Sequence, residues 1–316
     1  MSAAEPAGDA ATPHLLPPPV VSDLAAAAQA AVHGAVVSVG NFDGVHLGHR
    51  ALLGSMRALA SARGAPAVVV TFFPPAKVFF SGADYLSTAA EKLRLLAEFD
   101  PQLVVMLPFD QEFSQTPREE FMAQLAALRP SAFVVGADFR FGRGRLGSVG
   151  DLADLAPVEP FELVSLDGEP VGSSRVREML AAGRIDQANR LLGAPYMALG
   201  TVVEGAARGH TIGFPTANLQ LNPRKALPQG VYAVTVDALG ATYGGMANVG
   251  PRPTFPDTPP SLEVHLFDFD GDLYGRDITV RFVARLRGQM RFGGLDELKA
   301  QLAADALAAR LALNPA

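Results

Sequence analysis

Residues 40–49 read Gly-Asn-Phe-Asp-Gly-Val-His-Leu-Gly-His, set between an apolar run, Ala-Val-Val-Ser-Val, and a helix-like stretch that begins at Arg50. This order predicts a strand, a tight glycine turn and a helix start. Gly40, Gly44 and Gly48 let the backbone approach a ligand closely, and the helix start offers free amides and the positive end of its dipole to an anion. His46 and His49 are three residues apart, so at a helix opening they share one face and reach two oxygens of one phosphate chain. The chemistry they suit is attack at phosphorus in a bound triphosphate, with Asn41, Phe42 and Asp43 shaping the turn and its nucleotide contacts. One histidine alone reads as a satisfied loop or core residue; the joint pattern carries the expectation.

A second constellation lies at 208–218, Arg-Gly-His-Thr-Ile-Gly-Phe-Pro-Thr-Ala-Asn. Gly209, Gly213 and Pro215 set a rigid loop, and the Thr216 hydroxyl and Asn218 amide are oxygen ligands of the kind that suit Mg²⁺ carried by a nucleotide. Taken alone, Pro-Thr-Ala-Asn is also an ordinary turn. Further on, Leu262, Val264 and Leu266 alternate with Glu263, His265 and Phe267. Alternation by itself makes Glu263 a solvent-facing carboxylate. Residues 136–142 form a loop anchored by Phe139 and Phe141. Ser173 and Ser174 read as a helix N-cap, with Arg177 one turn further on.

The 40–49 segment resembles the His-x-Gly-His signature of the nucleotidyltransferase superfamily, in the longer form found in the bacterial riboflavin kinase/FAD synthetase family. Residues 200–205, 208–218, 248–255 and 273–275 resemble the riboflavin kinase module of the same family, so the resemblance spans both halves, from about residue 36 to about residue 310. It implies a bifunctional transferase that converts riboflavin to FMN and FMN to FAD with Mg²⁺ and ATP, the flavins being substrates and products rather than prosthetic groups. By resemblance, Glu263 is the base that accepts the riboflavin 5′-hydroxyl proton. Thr216 and Asn218 hold Mg²⁺ and ATP phosphates, Arg208, Gly209, Gly213, Phe214 and Pro215 form the kinase nucleotide loop, and Arg287 and Phe292 fall on its flavin side. In the first half, Gly136, Asp138, Phe139 and Phe141 match the flavin-side loop, and Ser173, Ser174 and Arg177 match a second ATP motif.

The chain departs from the family pattern at Phe73-Pro74-Pro75-Ala76, where an acidic residue followed by Pro-His-Pro is usual, and at Gly172, where serine is common. The first departure leaves open a riboflavin kinase whose first module has lost or changed its transfer activity. A flavin-binding regulator without turnover is the alternative of another class, and the intact His46, His49 and Glu263 stand against it.

The elements that must position these residues follow from the pattern. At 316 residues and 49% hydrophobic content, two domains of ~150 residues can each build a core. Apolar runs at 68–72, 103–107 and 133–136 alternate with helical patterns at 91–99 and 118–128, which predicts an α/β, doubly wound, Rossmann-like first domain with its site at the carboxyl ends of the strands. Helical stretches at 175–182 and 186–192 follow, with a boundary near Ile185, giving domains at 14–185 and 186–316. Beyond it, short strands at 198–203, 231–236, 245–249, 262–269 and 278–286 predict a small antiparallel β-barrel, and a helix at 295–313 packs on it through Leu298, Leu302, Ala306 and Leu307.

Net charge is −6 with a pI near 5.5 and no dense basic block, which argues against a nucleic-acid partner. There is no cysteine, so disulfides, thiolate nucleophiles and cysteine-ligated zinc are excluded. No Lys or Arg precedes Arg50 and no uncharged apolar run reaches the ~20 residues of a membrane span, so a cytoplasmic location without membrane association is expected. Residues 1–13, rich in Ala and Pro, are expected to be a disordered extension.

Overall fold

The computed structural model describes residues 17–30, 32–204, 213–250 and 261–314. The 1–13 extension, Arg208 and Gly209 lie outside them. The first half holds strands β1 (Val20–Val21), β2 (Val36–Val39), β3 (Ala67–Phe73), β4 (Leu103–Pro108), β5 (Ala132–Gly136), β6 (Arg140–Phe141), β7 (Gly147–Ser148), β8 (Val158–Phe161), β9 (Ser165–Leu166) and β10 (Glu169–Pro170). Its helices are α1 (Leu24–Gln29), α2 (Leu47–Arg63), α3 (Ala76–Ser81), α4 (Ala89–Ala97), α5 (Arg118–Ala126) and α6 (Val149–Ala153), followed by α7 (Ser173–Ala181) and α8 (Ile185–Leu192).

The main sheet is parallel in the order β1-β4-β3-β2-β5-β8. Its strands are apolar on both faces because both are covered. Val37, Val39, Val68 and Val70 pack with Leu24, Phe121, Leu125 and Leu152 of α1, α5 and α6. Val36, Val69, Val104 and Val134 pack with Leu53, Met56 and Leu96 of α2 and α4. The sheet is therefore doubly wound, as the continuous apolar runs predict. Strand order reverses between β2 and β5, which opens the crevice at their carboxyl ends where Gly40 and Gly136 lie.

The second half is a closed antiparallel barrel, β11 (Tyr196–Val203), β12 (Ala217–Gln220), β15 (Ser261–Leu266), β14 (Ala241–Gly250), β13 (Gly230–Ala238) and β16 (Asp277–Arg287), followed by α9 (Leu295–Leu313). Leu262, Val264 and Leu266 fill its interior, as the alternation predicts. Helix α9 packs outside, with Leu302, Ala306, Ala309, Ala312 and Leu313 against Ala233, Met246 and Phe267. Leu307 belongs to the opposite side and is 63% exposed. It lies five residues after Leu302, about 140° around the helix from it.

The sequence reading also missed β12, whose short Ala-Asn-Leu-Gln run offers only Ala217 and Leu219 to the core, and the edge strands β1 and β8. The barrel's apolar cluster takes in Leu86, Val171, Val176 and Leu180 from the chain before residue 185, so the two halves pack together.

Candidate active sites

The turn after β2 is held in a backbone shape that few residues adopt: φ is +43° at Phe42, +78° at Gly44 and +41° at Val45. For Phe42 and the β-branched Val45 such a conformation costs about 1–3 kcal/mol each, and burial of both side chains holds it in place. At Gly44 a Cβ would also sit 2.8 Å from Leu86 Cδ1, so only glycine fits.

Asp43, 2% exposed, is the anchor of the turn. Its Oδ1 accepts from the amides of Leu86 (3.0 Å) and Ser87 (3.1 Å), and its Oδ2 pairs with Arg177. Arg177 also donates to the Asp84 carbonyl at 2.6 Å, and Ser173 Oγ donates to the Asp43 carbonyl at 2.9 Å. Thus Asp43 gathers Ser173 and Arg177 onto the turn after β2. Asn41 Oδ1 accepts from the Ala76 amide at 2.9 Å, which ties the turn to α3.

His46 is the N-cap of α2, and its Nδ1 accepts from the His49 amide at 3.4 Å. The two imidazoles stack with centroids 3.7 Å apart and planes 17° from parallel, which brings both to one face as their spacing predicts. Burial lowers the His46 pKa to about 4. His49 is also pushed well down, first by burial and then by the charges of His46 and Lys92. Both rings are therefore neutral at pH 7. Phe42 meets His49 edge-on at 5.1 Å, and His49 Nδ1 is sealed from solvent with no hydrogen-bond partner among the described residues.

Sequence reasoning missed Lys92. It lies fully buried beneath the turn, where its Nζ donates to the carbonyls of Asn41 (2.8 Å) and Phe72 (2.6 Å), and burial pulls its pKa down to about 8. A lysine on a helix reads as solvent-facing, so no sequence signal marks it. Gly172, not Ser173, caps α7; Ser173 opens the helix, and Ser174 Oγ bonds Lys77 Nζ at 2.5 Å. The departing residue Phe73 packs on Tyr85 at 5.3 Å, with Lys92 Nζ 5.9 Å from its ring.

On the other side of the crevice Gly136 ends β5, and Asp138 is exposed. Phe141 is buried against Phe121 and Phe139 stacks on it at 5.8 Å, so Phe139 is the ring of the two nearer the surface. The aromatic array continues through Phe113 and Phe109 to Phe80, which is 69% exposed.

In the barrel, Glu263 of β15 pairs in register with Asn218 of β12 on one side and Asn248 of β14 on the other. Residues directly opposite in an antiparallel pair share a face, so these three form a polar row on the outer wall. Gln289 donates to Asn248 Oδ1 at 2.9 Å and to the Val249 carbonyl at 2.7 Å. The loop carrying Gly213, Phe214, Pro215 and Thr216 is held to β15 by His265, whose Nδ1 lies 2.8 Å from the Pro215 carbonyl and whose ring meets Phe214 edge-on at 5.3 Å. Sequence reading passed over Asn248 and His265 as site residues, since register across strands is not visible from one strand. Arg287 is engaged by Asp305 of α9, with Nε 3.0 Å from both carboxylate oxygens and NH2 2.7 Å from Oδ2, and its guanidinium lies 5.8 Å from the Phe292 ring.

Residues 28–177 match the family described as FAD synthetase and residues 192–313 the family described as Riboflavin kinase. The chain is 41% identical to the bifunctional riboflavin kinase/FMN adenylyltransferase of Escherichia coli K12 over 293 residues, which is 89% of this chain and 94% of that one. It belongs to that family. The Bacillus subtilis member is 34% identical over 85% of this chain and 90% of its own. A solved structure described as a macrolide-efflux protein from Streptococcus pneumoniae superposes with a TM-score of 0.82 at 31% identity, covering 93% of this chain and 99% of that one. Among the described residues of this chain, no helix is long and apolar enough to cross a membrane.

Proposed function

We propose that the barrel module, 186–316, phosphorylates riboflavin to FMN, and that the sheet module, 14–185, then transfers AMP from ATP to FMN, giving FAD and pyrophosphate. The observation that carries this reading is the presence in one chain of two sites suited to phosphorus chemistry: the stacked His46–His49 pair at a helix start, and the Asn218–Glu263–Asn248 row on the barrel wall.

In the kinase site Glu263 takes the proton of the ribityl 5′-hydroxyl as it attacks the γ-phosphate. Thr216 and Asn218 offer a hydroxyl and an amide oxygen, hard donors that fit Mg²⁺ arriving with ATP. When bound, Mg²⁺ neutralises triphosphate charge. The family resemblance gives Arg208 and Gly209 a part in nucleotide binding, and Arg287 with Phe292 borders the flavin.

In the adenylyltransferase site the FMN phosphate is already an anionic nucleophile and needs no base. His46 and His49, neutral until phosphate arrives, donate N–H groups to the α-phosphate and the leaving pyrophosphate. Such donors contribute on the order of 3 kcal/mol each in the transition state. Gly40, Asn41, Phe42, Asp43, Gly44, Gly48, Ser173, Ser174 and Arg177 form or hold the ATP cradle. Gly136, Asp138, Phe139 and Phe141 border the flavin ring. The reactants are small soluble molecules, and the cytoplasm is where ATP and riboflavin meet.

Product analysis over time tests this. With riboflavin and Mg-ATP, FMN should appear first and FAD later. FMN accumulating without FAD would leave a kinase with an altered first module, the reading that the Phe73–Ala76 departure favours. No turnover at all would leave a binding protein.

A further inference from the structure

Leu86 is bonded to both modules at once. Its amide donates to Asp43 Oδ1 at 3.0 Å, the neighbouring Ser87 amide does the same at 3.1 Å, and Ser87 Oγ accepts from the Gly44 amide at 3.1 Å. The Leu86 carbonyl points the other way, 2.6 Å from Lys225 Nζ and 3.0 Å from the Tyr196 hydroxyl, both in the barrel module. Its side chain closes over Gly44. The turn that presents His46 is thus held by Leu86 and Ser87, and Leu86 is held by the barrel.

The barrel side of this link is heavily bonded. Lys225 Nζ, buried, also donates to the Met197 carbonyl and to Glu91 Oε2, each at 2.8 Å, and it lies 4.3 Å from the Tyr196 ring. Glu91 belongs to α4 of the sheet module and is equally buried. Its Oε1 accepts from the Leu199 amide in β11 at 2.7 Å, and its Oε2 from the Thr88 amide at 2.7 Å. The Tyr196 hydroxyl is 2.6 Å from the Ala226 carbonyl as well. Backbone bonds run alongside: the Tyr85 amide to the Arg224 carbonyl and the Ala226 amide to the Tyr85 carbonyl, both 3.0 Å.

A buried ion pair is a poor source of net stability, because desolvation offsets most of the Coulomb gain. What a fully bonded ammonium and carboxylate do supply is a single allowed placement of the groups around them. Here those groups are the segment 84–91 and, through it, Asp43, Arg177 and the Gly44 turn.

We propose that Lys225 and Tyr196 are positioning residues for adenylyl transfer, acting from the kinase module through Leu86 on Asp43 and the turn that carries His46. This rests on that turn being the adenylyl site. A displacement of about 1 Å in such a cradle costs up to about 10²-fold in rate, so a link of this kind is felt in kcat.

The test uses the full chain and measures both reactions on the same preparation. Tyr196→Phe removes the one hydroxyl proton that the Leu86 and Ala226 carbonyls share and keeps the ring under Lys225. It should lower kcat for FMN adenylylation about fivefold and leave riboflavin phosphorylation within about twofold, as expected for one lost hydrogen bond. Lys225→Met should lower adenylylation at least about 30-fold, again with the kinase reaction largely kept. Adding Glu91→Gln to Lys225→Met removes the unpaired buried charge. It should restore part of the thermal stability, because glutamine can still accept from one of the two amides that Glu91 holds, without restoring adenylylation, since the Leu86 carbonyl still lacks its ammonium.

If adenylylation returns together with stability, or if Tyr196→Phe changes neither reaction or both equally, the proposal is wrong. Should Lys225→Met fail to fold, Tyr196→Phe decides alone. His49→Ala separates the two levels: if it still makes FAD, the site assignment has failed, whereas an inactive His49→Ala beside a fully active Tyr196→Phe overturns only the link.

Discussion

Burying His46 with a pKa of about 4 makes the turn at the start of α2 acid-sensitive, in an amount that can be worked out. The unfolded chain takes up a proton on this ring near pH 6.5 and the folded chain refuses it until about pH 4, so stability falls as pH drops through that window. At pH 5 the difference is about 2 kcal/mol relative to pH 7.5, rising to about 3 kcal/mol below pH 4. His49, lowered by burial and by His46, adds in the same direction. The perturbation is His46→Asn, which keeps an N-cap acceptor for α2 and removes the titrating ring. Urea unfolding of both proteins at pH 7.5 and pH 5, in phosphate-free buffer, is read by far-ultraviolet circular dichroism, since the chain has no tryptophan. The loss of stability between the two pH values should be smaller in the variant by about 2 kcal/mol or more. Carboxylates titrate equally in both proteins and cancel in the comparison. An identical pH-dependent loss would show that burial of the imidazole does not exclude its proton.

Phosphate should bring that proton back: ATP binding near pH 6 should show net proton uptake, measured by titration calorimetry in buffers of different ionisation enthalpy, and His46→Asn should reduce it. Glu263→Gln should lower riboflavin phosphorylation by ~10²- to 10⁴-fold and leave adenylylation of added FMN nearly intact in a coupled product assay. His49→Ala should do the reverse, with FMN accumulating; a mixture of the two variants should regain the whole path from riboflavin to FAD, because free FMN diffuses between them. Asp305→Ala leaves Arg287 without its carboxylate at the α9–barrel seam and should cost about 3 kcal/mol in denaturant unfolding, with a lowered Tm.

The architecture was legible where side chains had one job. Valine runs covered on both faces read as buried parallel strands, and the strict alternation around Glu263 read as a barrel wall with Leu262 and Val264 inside. The His46–His49 spacing gave a shared face directly. Legibility failed where charge went inward. Asp43 read as a shaper of the turn, but the two amides and Arg177 that enclose it were not visible in the sequence. Lys92, Glu91 and Lys225 looked like solvated helix and loop residues, and each is buried because carbonyls and amides from distant segments meet it. Those partners lie up to 139 positions away in the chain, as with Leu86 and Lys225, and periodicity carries no information at that range. Leu307 failed for a smaller reason: a stripe read by eye on a leucine- and alanine-rich helix admits a neighbour too many.

The shared packing of Leu86, Val176 and Leu180 with barrel strands has a consequence for the order in which the chain matures on the ribosome. Synthesis delivers the parallel sheet and the helices on its two faces first, and their two clusters can close without any residue beyond 161. Leu86, Val176 and Leu180 then remain uncovered until β11–β16 emerge and the barrel closes around Val234, Val264 and Phe282. For that interval the nascent chain exposes an apolar patch beside the turn after β2, a surface that chaperones recognise and that other nascent chains can join. Ribosome-bound chains with residues up to about 190 outside the exit tunnel should therefore be the most dependent on chaperone protection, and chains with residue 287 outside it the least.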